Sequence, residues 1–204
     1  MSDVAPAPSR REQTKERNRA ALLAAGRAVF ARLGYDAASV RDIVRETELA
    51  SGTFYNYFPD KESVLRALLE VSARELRERL RAARRDAADL ARFVGDAYRA
   101  FFAYVADDPT LFALLRRNSA PIRDLLGEPV LGLGVDELLE DLRAAMARGD
   151  LPAFDAEYMA AAMAGVGFEV AARMVERAPV DAEGAAAFAT ELFLGGIERL
   201  GRRG

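Results

Sequence analysis

The sequence contains no cysteine, no histidine and no tryptophan. Without cysteine there is no disulfide framework, no thiolate nucleophile and no zinc–sulfur site. Without histidine the commonest metal ligand and the commonest general base near neutral pH are missing. Carboxylates, lysine, hydroxyls and tyrosine remain for catalysis, and none of them forms a recognisable signature. We therefore expect no enzyme, no metal site and no cofactor.

The remaining composition is typical of a globular chain. The 204 residues are 51% hydrophobic and 30% charged, enough to bury a core. The longest notable uncharged stretch runs from Tyr158 to Phe168, far short of the roughly 20 residues that span a bilayer. Residues 1–9 are rich in proline and alanine and lack the apolar run of an export signal. We expect them to be a disordered lead-in, and the protein to be cytoplasmic.

The formal net charge of −3 conceals an uneven distribution. Residues 1–85 hold 17 Arg or Lys and 12 Asp or Glu, whereas residues 86–204 hold 12 and 20. Because the field of the contacting domain governs attraction to phosphates, the basic first part could meet nucleic acid. A chance drift of sign along solvated helices is the alternative. Four basic residues near the start form either a solvated helix start or an arm that reaches DNA: Arg10, Arg11, Lys15 and Arg17.

The apolar residues recur with a helical period nearly everywhere, and no strand alternation is convincing. Gly34 should stop the first helix, Ser39 should cap a short second one, and Asp60 should cap a long one that ends near Arg85. Proline and glycine breaks predict later helices at roughly 87–106, 109–118, 121–126 with 135–148, 155–177 and 181–200. The predicted fold class is all-α, with a head at 10–60, a body at 61–204 and a shared linking helix at 61–85.

The second and third predicted helices have the layout of a helix-turn-helix, whose second helix can enter a major groove. The candidate inserting segment, Ser51 to Phe58, reads SGTFYNYF and has no aliphatic residue. Its hydroxyl and amide groups suit phosphate oxygens and base edges, and Gly52 would permit a close backbone approach. Lys61 follows where a phosphate would lie between two helix N-termini. We expect Phe54 and Phe58 to be core residues.

This segment resembles the DNA-binding head of the TetR family of bacterial transcription regulators. The matching residues are LLAA at 22–25, VF at 29–30, GY at 34–35, SVRDIV at 39–44, GTFYNYF at 52–58 and KE at 61–62, under a third of the chain. The resemblance implies that phosphate contacts come from Ser39, Tyr55, Tyr57 and Lys61. It also implies that bases are read by Arg41, Ser51, Thr53 and Asn56.

The connection between the two helices departs from the family pattern. The family usually has Ala-Gly-Val-Ser there, whereas this chain has Thr47-Glu48-Leu49-Ala50. A Glu in place of a glycine in a left-handed turn would cost about 1 kcal/mol. Ala50 removes the usual cap, so we expect Ser51 to supply it from one position further on.

Aromatic residues crowd in the body, where a hydrophobic core is the default interpretation and a ligand pocket the sharper one. Apolar sites between helices with a few polar groups suit small ligands, and the resemblance implies a body that binds an inducer. The candidate pocket residues are Phe101, Phe102, Tyr104, Asn118 and Phe168, with Arg116 and Arg173 as further polar candidates.

The last two helices are rich in small residues, which indicates either packing within the chain or close contact with a second copy. Members of the TetR family pair through these helices, so the resemblance implies a homodimer. The candidate interface residues are Ala161, Gly165, Phe168, Phe188, Leu192 and Gly196.

The resulting hypothesis is a sequence-specific DNA-binding transcriptional regulator. It would be a repressor, released from a near-palindromic operator by a small apolar or amphipathic ligand. Its expected partners are double-stranded DNA, a second copy and that effector, with no membrane. The alternatives are a helical adaptor that binds protein alone and an all-helical enzyme. The adaptor predicts no salt-dependent affinity for duplex DNA, and the enzyme predicts turnover without DNA binding.

Overall fold

The structure, a computed structural model, describes residues 9–85, 87–119, 122 and 135–201. This part of the chain contains helices and no strand, which confirms the all-α fold class, and none of its helices is long and apolar enough to cross a membrane. The helices are α1 (Arg10–Leu33), α2 (Val40–Arg45), α3 (Ser51–Phe54), α4 (Lys61–Arg85), α5 (Leu90–Asp107), α6 (Pro109–Arg117), α7 (Val135–Arg148), α8 (Ala156–Met174) and α9 (Ala182–Gly201).

The predicted signals for helix ends are observed in the head. Gly34 ends α1 with a φ of 83°, a left-handed conformation that glycine adopts without strain. Ser39 caps α2 and forms a capping box with Asp42. At the start of α4 an Oδ1 of Asp60 accepts the N–H of Ser63 at 2.7 Å. The sequence therefore fixes where three of the head's helices begin or end.

The head encloses a core between α1, α2, α3 and α4. Phe30, Ile43, Phe54 and Leu65 are all completely buried there. The helices α1 and α4 approach closely at Gly26, where an added Cβ would lie only 2.5 Å from a side-chain carbon of Val64. A larger residue at position 26 would therefore push the linking helix away from the head.

The body has its own core, built from α5, α8 and α9. The ring of Tyr98 on α5 stacks between Phe102 and Phe193, with ring centroids 5.8 and 6.0 Å away. Its hydroxyl donates to the carbonyl of Met163 on α8 at 3.0 Å. Burial raises the pKa of Tyr98 far above the usual value, so this hydroxyl stays protonated and keeps its bond.

The short helix α6 belongs to the body in sequence but reaches into the head. Leu114 on α6 is fully buried in the head core. The side chain of Asn118, at the end of α6, is 1% exposed and accepts the N–H of Tyr35 at 2.5 Å. Its neighbour Arg117 donates to the carbonyl of Leu33 at 3.3 Å. The predicted division at residues 60 and 61 therefore does not separate two independent cores.

The predicted body helices differ from the observed ones mainly at their ends. The segment expected at 155–177 is α8, Ala156–Met174, and that expected at 181–200 is α9, Ala182–Gly201. The predicted helix at 121–126 lies outside the described residues except at position 122.

Candidate nucleic-acid interface and internal cavity

Hydrogen bonds of a threonine side chain stabilise the turn between α2 and α3. The hydroxyl of Thr47 donates to the carbonyl of Val44 at 2.9 Å and accepts the N–H of Leu49 at 3.2 Å. Among the described residues only glycines have a positive φ, so Glu48 is not left-handed. The expectation of strain at Glu48 is therefore wrong, because the hydrogen bonds of the Thr47 hydroxyl shape this turn and no residue in it is left-handed.

The third helix is shorter than the sequence predicts. It begins at Ser51, after Ala50, which has no side chain that can cap it. The expectation that Ser51 supplies the cap is wrong, because Ser51 is already the first helical residue. The helix ends at Phe54, and the N–H groups of Tyr57 and Phe58 then both donate to the Phe54 carbonyl, at 2.9 and 3.1 Å. The expected inserting helix is thus one helical turn that continues as a further turn.

This segment separates core residues from surface residues as predicted. Phe54 and Phe58 are buried, whereas Tyr55 is 61% exposed and Asn56 is also exposed. Around Gly52, no atom lies within 4 Å of the position that a Cβ would take. The outer side of the segment is therefore polar and open to a large partner.

The remaining candidate DNA contacts on α2 and α3 lie beside this open surface. Arg41 and Ser51 are exposed, and Thr53 is half-buried. Ser39 is exposed as well, but its hydroxyl donates to the Asp42 carboxylate at 2.5 Å. Hydrogen bonds from Ser39 hold the pKa of Asp42 below its usual value. Ser39 thus already serves as a helix cap, and a role in phosphate binding stays a prediction.

Lys61 makes contacts within the chain that the sequence did not indicate. The Lys61 ammonium donates to the carbonyls of Tyr35, Asp36 and Ala38, at 2.7, 3.2 and 2.9 Å. It also lies 4.4 Å from the centroid of the Tyr35 ring. The three donors of the ammonium are therefore all used, and a phosphate would have to compete for them.

The hydroxyl of Tyr57 accepts a hydrogen bond from the amide of Asn18 on α1, at 3.1 Å. Asn18 was not among the predicted site residues, and no local motif marks it, because the contact joins residues far apart in the sequence. The N-terminal basic residues belong to α1 and not to a separate arm, since α1 begins at Arg10 behind a Ser9 cap. All four of them are exposed: Arg10, Arg11, Lys15 and Arg17.

An apolar cavity of about 190 Å³ lies in the body, lined by parts of α4, α5, α6, α7 and α8. Of the five candidate pocket residues, Phe101, Tyr104 and Phe168 line it. Phe102 instead lies in the body core, and the Asn118 side chain accepts a hydrogen bond from Tyr35 in the head. Ligand contact by these residues stays a prediction.

The cavity wall has two charged residues within the described ranges, Arg84 and Asp108. Asp108 caps α6 by accepting the N–H of Leu111 at 3.0 Å, and its carboxylate also pairs with Arg27. The two further polar candidates, Arg116 and Arg173, both pair with Glu176 at the surface and do not line the cavity.

The outer sides of α8 and α9 carry large exposed apolar residues. Tyr158 is 78% exposed, Phe188 60% and Leu192 50%. Added Cβ atoms at Gly165 and Gly196 would meet nothing within 4 Å. Of the other predicted interface residues, Ala161 is exposed as well. Phe168 differs, because it points inward and its ring lies 5.0 Å from that of Phe112.

The fold thus combines an exposed helix-turn-helix with a helical body that contains an apolar cavity. The class that these features define is a helix-turn-helix protein with room for a small ligand. Residues 22–68 match the family model described as bacterial regulatory proteins of the tetR family. A structure of a TetR-family transcriptional regulator from Pectobacterium atrosepticum aligns with a TM-score of 0.62 and 26% identity, over 93% of this chain and 97% of that one. Residues 22–68 are thus similar to the tetR family of bacterial regulatory proteins, and the fold of the whole chain is similar to that of a solved TetR-family regulator.

Further proteins are similar to part of this sequence or to its fold. The curated HTH-type transcriptional regulator YuxN of Bacillus subtilis (strain 168), described as uncharacterized, is 44% identical over 41 residues; these make up 20% of this chain and 14% of YuxN. The fatty acid degradation regulator FadR from Bacillus halodurans has a TM-score of 0.78 and 24% identity, over 88% of this chain and 96% of its own. FadR from Bacillus subtilis, in complex with stearoyl-CoA, has a TM-score of 0.76 and 22% identity, over 87% and 98%.

Proposed function

We propose that this protein is a cytoplasmic, homodimeric transcriptional repressor that binds a near-palindromic DNA site and is released by a small amphipathic effector. It acts by binding and has no enzymatic activity of its own. The observation that carries the proposal is the open polar surface of residues 51–57, where an uncrowded glycine is flanked by exposed hydroxyl and amide groups.

The charges around this surface support DNA as the partner. Arg41 and Arg45 on α2 are exposed beside α3, and the exposed basic residues of α1 belong to the same head. Arginine and lysine attract the phosphate backbone, while amide and guanidinium groups can read base edges. We therefore assign phosphate contacts to Tyr55 and Tyr57, and base contacts to Arg41 and Asn56.

Selection of bound duplexes from a random pool tests the DNA-binding part. We expect enrichment of a site with two related half-sites about one helical turn apart, ~34 Å. Affinity for the selected duplex should fall steeply with salt, because phosphate contacts release counterions. An adaptor that binds protein alone would give neither enrichment nor a salt-dependent affinity.

Two kinds of variant separate the proposed roles on DNA. Arg41→Ala and Asn56→Ala should each cost about 1–3 kcal/mol in binding and relax the preference at one position of the site. Tyr55→Ala should weaken all sequences alike. Arg143→Ala, an exposed arginine of α7 in the body, is the matched control and should leave DNA affinity unchanged. Equal effects of Arg41→Ala and Arg143→Ala would contradict the assignment.

The cavity supports an effector with an apolar chain. Its lining combines aromatic rings from α5 with leucines from α4 and α6. The similar fold of Bacillus subtilis FadR, which is in complex with stearoyl-CoA, supports a fatty-acyl type of ligand. Leu76, Leu80 and Arg84 of the cavity wall belong to α4, the helix that begins in the head at Lys61. A ligand that favours one position of α4 could therefore change DNA affinity, with a coupling of typically 1–3 kcal/mol.

A titration of the protein–DNA complex with fatty acids and acyl-CoA thioesters of increasing length tests this part. We expect release of the duplex by chains that fill the cavity and no release by short-chain homologues. Release by none of them, while DNA binding itself is observed, would contradict the fatty-acyl effector and leave the DNA-binding proposal standing.

A further inference from the structure

Arg84 is a buried cation in the wall of a largely apolar cavity. Its side chain is 6% exposed. It lines the apolar cavity and also a second, polar cleft between the end of α4, the start of α5 and α7. The side chain therefore lies where apolar space and polar space meet.

The guanidinium of Arg84 is incompletely satisfied. Its Nε lies 2.8 Å from Asp141 Oδ2 and its Nη2 3.5 Å from Glu137 Oε2, both on α7. The Nε–H is buried and does not point at the Asp141 oxygen, so it has no hydrogen-bond acceptor among the described residues. A buried charged donor without an acceptor is costly, and an added anion would remove that cost.

The carboxylates near Arg84 have other partners. Glu137 accepts hydrogen bonds from Arg81 at 2.7 and 3.0 Å, and its Oε1 lies 3.3 Å from the Nε of Arg77. Glu137 would therefore still interact with the guanidiniums of Arg81 and Arg77 if its contact with Arg84 were lost. The Asp141 side chain is 45% exposed and can turn to water. Exchanging these carboxylates for another anion leaves no buried charge uncompensated.

We propose that Arg84 binds the anionic head of an amphipathic effector whose apolar chain fills the cavity, and that this anion replaces the α7 carboxylates at the guanidinium. This inference rests on the proposed effector function and specifies the head group of that effector. The exchange would loosen the ionic link between α7 and α4, the helix that begins in the head.

The polar cleft limits the charge that such a head group can carry. Four arginines and five carboxylates line the cleft within the described residues. A polyphosphate head would meet repulsion from the excess of carboxylates, whereas a single carboxylate can pair with Arg84 alone. We therefore expect a free fatty acid to bind more tightly than its coenzyme A thioester.

Calorimetric titration with laurate, dodecanol and lauroyl-CoA tests the inference. The three probes share an apolar chain and differ only in their head. We expect the unmodified protein to prefer laurate to dodecanol by about tenfold or more, the effect of a hydrogen bond to a charged group. In Arg84→Met this preference should disappear while dodecanol still binds. Arg74→Met, on the same helix but outside both cavities, is the matched control and should keep the preference.

A variant with the opposite effect guards against a merely structural role for Arg84. Glu137→Gln removes a carboxylate that competes for the guanidinium, so laurate should bind several-fold more tightly and dodecanol unchanged. If Arg84 and Glu137 served only the structure, Glu137→Gln would weaken the binding of both laurate and dodecanol. Circular dichroism and the thermal midpoint establish that each variant is folded.

The outcomes separate this inference from the proposed function. Binding of all probes without a laurate preference would overturn the role of Arg84 and leave an apolar effector standing. No binding of any probe would overturn both. A preference for lauroyl-CoA that Arg84→Met removes would still support an anion at Arg84 and would assign it to a phosphate. The same preference retained in Arg84→Met would overturn the inference.

Discussion

Gly52 and Lys61 show how much depends on single positions in the head. Gly52 lies on the open side of α3 with empty space around it, so the fold itself does not require a glycine there. Lys61, by contrast, fills all its donors with three carbonyls that follow the end of α1. One residue is thus free for a partner, while the other is used within the chain.

We expect Gly52→Ala to separate folding from DNA binding. Alanine favours a helix over glycine by roughly 0.5–1 kcal/mol, so the variant should be as stable as the unmodified protein or slightly more stable. DNA affinity should fall, because the new methyl group would stand where the DNA backbone or a base approaches. Urea unfolding and a duplex-binding titration measure the two effects. Unchanged DNA affinity would show that α3 does not approach DNA at this residue.

Lys61→Met should destabilise the head by about 1–3 kcal/mol, because it removes charge-assisted hydrogen bonds to three carbonyls, two of which lie in partly buried contacts. Urea unfolding followed by circular dichroism measures this change. Lys15→Met, an exposed lysine of α1, is the matched control and should have little effect on stability. If the two variants are equally stable and only Lys61→Met loses DNA affinity, Lys61 serves DNA and not the fold.

Single carboxylates fix the starts of two helices of the head, the short α2 and the long α4. Asp42 accepts from Ser39 at the start of α2, and Asp60 accepts from Ser63 at the start of α4. These hydrogen bonds favour the charged forms and lower the pKa values of both carboxyl groups. The placement of the helix-turn-helix therefore depends on these carboxylates being ionised.

This dependence predicts that the protein loses stability in acid. In the unfolded chain both carboxyls titrate near 3.8, and in the folded protein they titrate lower. Their contribution is thus complete above about pH 5 and is lost as the pH falls through the folded pKa values. Thermal midpoints measured across this range should fall less steeply in Asp42→Asn and Asp60→Asn. An unchanged pH profile in both variants would contradict this role for the caps.

At the scale of elements, local signals in the sequence were sufficient for most helices. Periodic apolar residues and the stop at Gly34 predicted the helices, and the aromatic spacing predicted the burial of Phe54 and Phe58. The conformation at Glu48 could not be predicted, because it depends on which backbone groups the Thr47 hydroxyl reaches. The same holds for Asn118, whose partner Tyr35 lies 83 positions away. Such contacts depend on tertiary placement and leave no local pattern.

At the scale of the whole molecule, we expect the protein to be a homodimer. Phe188 and Leu192 on α9 and Tyr158 on α8 are large exposed apolar residues, and the open space at Gly165 and Gly196 would let a second backbone come close. A pair of heads would double the contact with DNA and account for a site with two related halves.

We expect Leu192→Glu to produce a monomer, since a charge buried in an apolar interface is costly. Sedimentation equilibrium measures the mass, and the affinity for the selected duplex should fall together with it. Val71→Glu is the matched control, because Val71 on α4 is 52% exposed and Leu192 is 50% exposed. A dimer that persists in Leu192→Glu would place the interface elsewhere.

The entry of α6 into the head core limits how this protein can be divided or recombined. A chimera that joins the first 85 residues to the body of another regulator would leave a hole at Leu114 and would deprive the Tyr35 N–H of its acceptor. The foreign body would need an equivalent helix at the same place. The head is therefore not a transplantable module, and the proposed DNA specificity is better exchanged by replacing side chains on α2 and α3 than by swapping domains.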